Sequence, residues 1–301
     1  MSDGRTSHIV QSLLVNVAIA VAKGIAAALT GSGALLAEAI HSAADCSNQV
    51  LLLIGVHEAA KPPSSEYPLG RGREAYFWSF LVALMLFSLG GMFSIYEGVH
   101  KFLNPEPVER FLLGLGILFF SIVLEGAATI SNVREVNRRK KSLSFFRYLR
   151  ATKDSDLIVI LGENSAAVVG LTLAILALCA ARATGDSRWD SAGSVAIGAV
   201  LVVVAVFLAV EVKSLLLGER ADEAIERAVR DLIRPGGPII EILSLITLQQ
   251  GPGEVILAAK VRIAPSLCGD EVARTINAFE QAVHDRCPEV RWLFVEPDIE
   301  A

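Results

Sequence analysis

The chain has 301 residues, of which 53% are hydrophobic and only 20% charged, and its mean hydropathy is +0.52; this excludes an ordinary water-soluble enzyme and points to an integral membrane protein. Its net charge of -5 is uneven: from Glu219 onward there are 15 acidic and 9 basic residues, against 17 and 18 before it, so an acidic soluble tail follows a nearly neutral membrane part. No basic surface suited to nucleic acid is present, and Cys46, Cys179, Cys268 and Cys287 form neither a CxxC pair nor a regular spacing, so neither a disulfide framework nor a zinc finger is indicated.

Six apolar segments are long enough for a bilayer crossing, which needs roughly 20 residues. The first covers about 9–29. No cleavable leader pattern precedes it, so it is expected to act as its own insertion signal. It ends at the turn Thr30-Gly31-Ser32-Gly33. The others cover about 34–57, 75–96, 111–133, 157–181 and 191–210, with prolines and glycines between them. Lys and Arg crowd the loops after the second and fourth segments, including the run Arg138-Arg139-Lys140-Lys141, so these loops and both termini are expected in the cytoplasm.

Beyond Leu217 the period changes. Ile225, Val229, Leu232 and Ile233 mark a short amphipathic helix; residues 239–249 and 254–264 read as strands joined at Gln250-Gly251-Pro252-Gly253. Val272, Ile276, Phe279 and Val283 mark a second helix, and 290–295 a last strand. The expectation is a six-helix transmembrane domain over 1–217 and a cytoplasmic α+β domain of αββαβ order over 218–301.

The second segment carries Glu38, His41, Asp45 and Asn48 at spacings of three, four and three, so all four share one helical face. Ionisable groups at membrane depth are costly and face a bundle interior, a partner or an ion path. His41 and Asp45, one turn apart, can supply two ligands of a divalent-metal site; a polar seam bonding to neighbouring helices is the plainer alternative. On the fifth segment Glu163 and Asn164 interrupt an apolar run, and counting the helical rise brings Glu163 to the depth of His41 and Asp45. Asp156, two turns below Glu163, reads as an acid complementing a helix N-terminus. Counting outward from Gly31 sets Lys23 and Glu38 at one depth on antiparallel neighbours, so Glu38 is expected to be the counter-ion of Lys23. Glu125 sits deep in the fourth segment without an assigned partner.

Six crossings, AEAIHSAAD on the second, YPLGRGREAYFW after it and the αββαβ tail together resemble the cation diffusion facilitator family over essentially the whole chain. The stretches YFWSFLVALMLFSLG, YEGVHKF and GENSAAVVG look most like its zinc transporter 9-like branch. The resemblance implies a homodimer with a ferredoxin-like cytoplasmic tail that exports zinc, or a similar divalent cation such as Mn2+, Fe2+, Co2+ or Cd2+, usually in exchange for protons. It also implies a four-ligand site from the second and fifth crossings, commonly HxxxD on each. His41 and Asp45 match. On the fifth crossing Ile160 and Asn164 fall where the common His and Asp would be, so Glu163 is taken as the third ligand, with Asn164 or water as the fourth. Tyr67 and Arg71 stand where many members have surface-site histidines, and the tail offers Glu296 and Asp298 but no histidine beside them. Cys268, Cys287 and His284 are expected to serve the fold. A scaffold that binds metal without moving it is a second reading; an intramembrane HxxxD acyltransferase is a third, disfavoured because no nucleophile surrounds His41. No Arg/Ser-rich amphipathic stretch precedes the first segment, which favours a bacterial inner membrane over a mitochondrial one.

Overall fold

The computed structural model describes residues 2–140 and 144–299; Lys141, at the end of the basic run, lies outside them, as does the side chain of Asp156. Long helices dominate: α1 (Ser2–Thr30), α2 (Gly33–Ala59), α3 (Glu74–Met85) continuing through a π-helical stretch (Leu86–Met92) into α4 (Phe93–Leu103), then α5 (Phe111–Arg139). A short α6 (Phe145–Ala151) precedes α7 (Ser155–Thr184) and α8 (Arg188–Leu217). Among the described residues, four helical rods are long and apolar enough to cross a membrane: Glu74–Leu103, Phe111–Arg139, Leu157–Thr184 and Arg188–Leu217. α1 contributes the shorter apolar stretch Asn16–Thr30. α2 is 27 residues long, but Glu38, His41, Asp45, Asn48 and Gln49 lower its apolarity.

The α1–α2 turn is made by Gly31, whose φ of +67° is open to glycine at no steric cost. Small residues then let the helices approach closely, as membrane helices must where lipid supplies no hydrophobic drive. A Cβ on Gly98 would meet Val195 Cγ2 at 2.7 Å and the Val195 backbone N at 2.8 Å, whereas one on Gly126 of α5 would meet nothing within 4 Å. Gly98→Val is therefore expected to destabilise the bundle by about 1–3 kcal/mol, since backbone cannot yield as a side chain can, while Gly126→Ala is neutral. Thermal unfolding in detergent reads the difference; equal midpoints would refute the close packing of α4 on α8.

The chain divides into two compact units. The first takes the helices up to Ile54, Trp78–Tyr148 and Asp156–Glu211. The second takes Val212–Ala301 together with Gly55–Phe77 and Leu149–Ser155, two stretches that the sequence places in the membrane part. In this second unit α9 (Glu223–Arg230), β1 (Ile239–Gly251), β2 (Glu254–Ile263), α10 (Gly269–Arg286) and β3 (Val290–Pro297) follow in αββαβ order. β1 and β2 pair antiparallel, β2 and β3 parallel, with β2 central. Val255, Leu257, Ala259 and Val261 alternate inward along β2 against Val229 of α9 and Phe279 and Val283 of α10. Leu232 and Ile233, expected in the first tail helix, fall beyond its end and pack on the same core. The loop 55–77 belongs to this unit because Arg73 Nε donates to Gln250 Oε1 (3.2 Å) and Gly72 lies against the backbone of Gly251.

Candidate metal centre

α2 is fixed at its start by an acid from another helix. Asp190, 2% exposed near the start of α8, accepts hydrogen bonds from Ser32 Oγ (2.6 Å), Gly33 N (2.6 Å) and Ala34 N (3.4 Å). These are donors a helix N-terminus leaves unpaired, and a carboxylate there also opposes the helix dipole. Sequence alone makes Asp190 a mere charge offset for its basic neighbours; its signal was the Ser-Gly start of α2, which supplies the donors. Lys101 Nζ donates to the Gly31 carbonyl (2.9 Å) at the same turn.

With its origin set, the polar face of α2 turns inward. Glu38, His41 and Asn48 are 0% exposed. Lys23 Nζ of α1 donates to Glu38 Oε2 (3.2 Å) and to Ser42 Oγ (2.7 Å), so the expected Lys23–Glu38 ion pair forms. Glu38 is pressed against α7 on its other side: a Cβ on Gly170 would collide with its Oε1. One turn on, His41 Nδ1 lies 3.5 Å from Asp45 Oδ1.

α7 contributes Glu163, 6% exposed, whose Oε1 accepts a hydrogen bond from Asn48 Nδ2 at 2.5 Å. Asp45 lies within electrostatic reach of Glu163, of Glu125 on α5, and of the Lys23–Glu38 pair. Glu125 thereby acquires the neighbours it lacked in the sequence. Asn164, half-buried, is engaged through its backbone carbonyl, which accepts from Thr129 Oγ1 of α5 at 3.1 Å. Ile160 is 40% exposed, turned away from the buried face. Among the described residues, no three His, Cys, Asp or Glu side chains stand close enough together to hold a metal ion. The structure thus joins His41 to Asp45 and Glu163 to α2 through Asn48, a link that sequence reasoning did not draw.

The secondary positions have other occupations. The Arg71 guanidinium stacks 4.1 Å over the Tyr67 ring and lies 3.4 Å from Glu58, which also pairs with Lys61. In the tail, Lys260 holds Asp298 at 2.7 Å and Glu296 at 3.8 Å, and these carboxylates raise the lysine pKa. His284 Nδ1 is 2.9 Å from the Val290 carbonyl, Cys287 is in the core, and Cys268 caps α10 with Glu271. The hydrogen bond from Cys268 N lowers the Glu271 pKa, so this cap's stabilisation is present above the ordinary carboxylate range and lost as pH falls through the lowered value.

A bundle of apolar helices that buries an imidazole, several carboxylates and an ammonium where their desolvation is costly has the make-up of a membrane protein with a functional polar interior. The chain belongs to the cation efflux, or cation diffusion facilitator, family: the family's cation efflux transmembrane domain matches residues 9–217, and the similarity is to its zinc transporter 9-like branch, a group of transporters and not of enzymes. It is 32% identical over 234 residues to the human mitochondrial proton-coupled zinc antiporter SLC30A9, covering 77% of this chain and 41% of that protein. Metal tolerance protein C4 of Arabidopsis thaliana is 27% identical over 234 residues (77% and 51%), and magnetosome protein MamB of Magnetospira sp. is 30% identical over 101 residues (32% and 34%). The chain spans about two fifths to one half of the length of its longer-matching relatives.

Proposed function

We propose that this protein exports a divalent metal cation, zinc foremost, from the cytoplasm in exchange for protons. The observation that carries the reading is the pair of buried His41 and half-buried Asp45 on α2, with Glu163 of α7 tied to the same face. His41, Asp45 and Glu163 are the proposed ligands, with Asn164 or water in the fourth place. The Lys23–Glu38 pair tunes the charge beside them. α1 and α2 join the four longer rods as crossings, giving six, and the Lys/Arg-rich loops set both termini in the cytoplasm. A 1–217 membrane domain and a 218–301 cytoplasmic domain form each protomer of a homodimer. The similarity to the human proton-coupled zinc antiporter supports the ion and the coupling.

The coupling has a chemical basis. Metal binding needs the neutral imidazole and ionised carboxylates, so loading the site displaces protons that the empty site holds. Purified protein in liposomes with an enclosed zinc dye should accumulate zinc down an opposing proton gradient, and collapse of the pH gradient should remove most of the uptake. Uptake indifferent to the gradient would refute antiport, and zinc binding with no uptake would make the protein a metal-binding scaffold.

A further inference from the structure

Asn48 lies three residues after Asp45 and seven after His41, on the face these two share. It is fully buried, and its two polar atoms have different fates. Nδ2 donates to Glu163 Oε1. Oδ1 is buried with no hydrogen-bond partner among the described residues, as are both ring nitrogens of His41 and Asp45 Oδ1. Buried polar atoms are almost always satisfied, because leaving them bare forfeits their hydration without return. Here unsatisfied donor atoms gather on three residues spanning two turns of one helix face; Glu38 Oε1 and Gln49 Oε1 of the same helix are also bare, whereas Ser42 accepts from Lys23 and Ser47 donates to a carbonyl.

We infer that Asn48 is itself part of the metal centre, its amide nitrogen orienting Glu163 and its amide oxygen serving as the oxygen donor here assigned to Asn164 or water. This rests on the reading of His41, Asp45 and Glu163 as ligands. Asn164 is the weaker candidate for that donor: its side chain is only half-buried. The donor set becomes one imidazole nitrogen and three oxygens, two from carboxylates and one from an amide. Such a set is harder than the paired imidazoles and carboxylates of HxxxD on two helices, and should tolerate oxygen-preferring ions such as Mn2+ beside Zn2+.

Full-length protein is tested with Zn2+ by calorimetry, with Co2+ by visible absorption, and with Zn2+ and Mn2+ in liposome uptake. Asn48→Leu, close in volume and without donors, should weaken Zn2+ binding by about tenfold or more, as loss of even an outer partner of a metal ligand does. Asn48→His should raise the Zn2+ to Mn2+ uptake ratio severalfold. Asn164→Ala should weaken Zn2+ binding less than Asn48→Leu does, since water can replace an amide oxygen at an accessible position, and the reverse ranking would return the oxygen donor to α7 and overturn the inference. Asn48→Asp keeps an oxygen in place and covers the case in which the leucine variant does not fold; its bound Co2+ spectrum should shift. An unchanged Co2+ spectrum in Asn48→Asp, or parental Zn2+ affinity in folded Asn48→Leu, overturns the inference. Glu163→Gln separates the two levels. If it loses Zn2+ binding while Asn48→Leu does not, only the role of Asn48 fails; if it binds Zn2+ normally, the wider reading of the site fails.

Discussion

Glu163→Gln is expected to reduce zinc transport by about 100-fold or more, since changing merely the outer partners of a metal ligand already costs 10–100-fold. The substitution keeps the shape, and the glutamine oxygen can still accept from Asn48 Nδ2 where Glu163 Oε1 now does. Folding and helix association should therefore survive, and the loss should fall on the cation. With only one imidazole and one carboxylate, a divalent ion at membrane depth keeps uncompensated charge, an arrangement that costs several kcal/mol. Asn164→Ala should do far less, because the described interaction of Asn164 runs through its backbone carbonyl, which alanine retains. Liposome uptake with thermal unfolding as the control measures both. An active Glu163→Gln beside a dead Asn164→Ala would move the site round α7 to the register of the family's common HxxxD.

The difference between what could and could not be read from the sequence is one of rotational phase. A single helix fixes its own face, so the spacing of Glu38, His41, Asp45 and Asn48 sufficed to bring them to one side. The antiparallel count across Gly31 likewise sufficed for Lys23 and Glu38, because a tight turn ties two helices in depth. Nothing in the apolar run around Glu163 fixes how α7 is rotated against α2, and so the Asn48–Glu163 hydrogen bond could not be foreseen. The π-helical stretch Leu86–Met92 is hidden for a related reason: one extra residue in a turn leaves no mark on a uniformly apolar segment. The strands were legible because β2 alternates between core and surface. The docking of Gly72 and Arg73 on the β1–β2 turn was not, since a loop carries no periodicity to declare its partner.

The Lys23–Glu38 pair should be indispensable one residue at a time and dispensable as a pair. Both side chains are 0% exposed, so each charge has lost its water and is held by the other. Removing one partner leaves a buried charge uncompensated, and Lys23→Met is expected to destabilise the folded bundle by about 3–5 kcal/mol. Its cost goes beyond Coulomb attraction, because Lys23 Nζ also holds Ser42 Oγ and because Glu38 Oε1, against Gly170, has no other hydrogen-bond partner among the described residues. Glu38→Leu alone strands the ammonium in the same way. The double variant Lys23→Met with Glu38→Leu removes both desolvation costs and puts apolar side chains of similar length in their place, so its stability should return to within about 1 kcal/mol of the parent or exceed it. Thermal unfolding of the four proteins in detergent closes this cycle. A double variant as unstable as the worse single one would mean that the pair acts through packing and not through charge. Transport supplies the second readout: Asp45 lies in the field of both residues, and a stable double variant with altered zinc uptake would assign the pair to tuning the site, while one with parental uptake would assign it to stability alone.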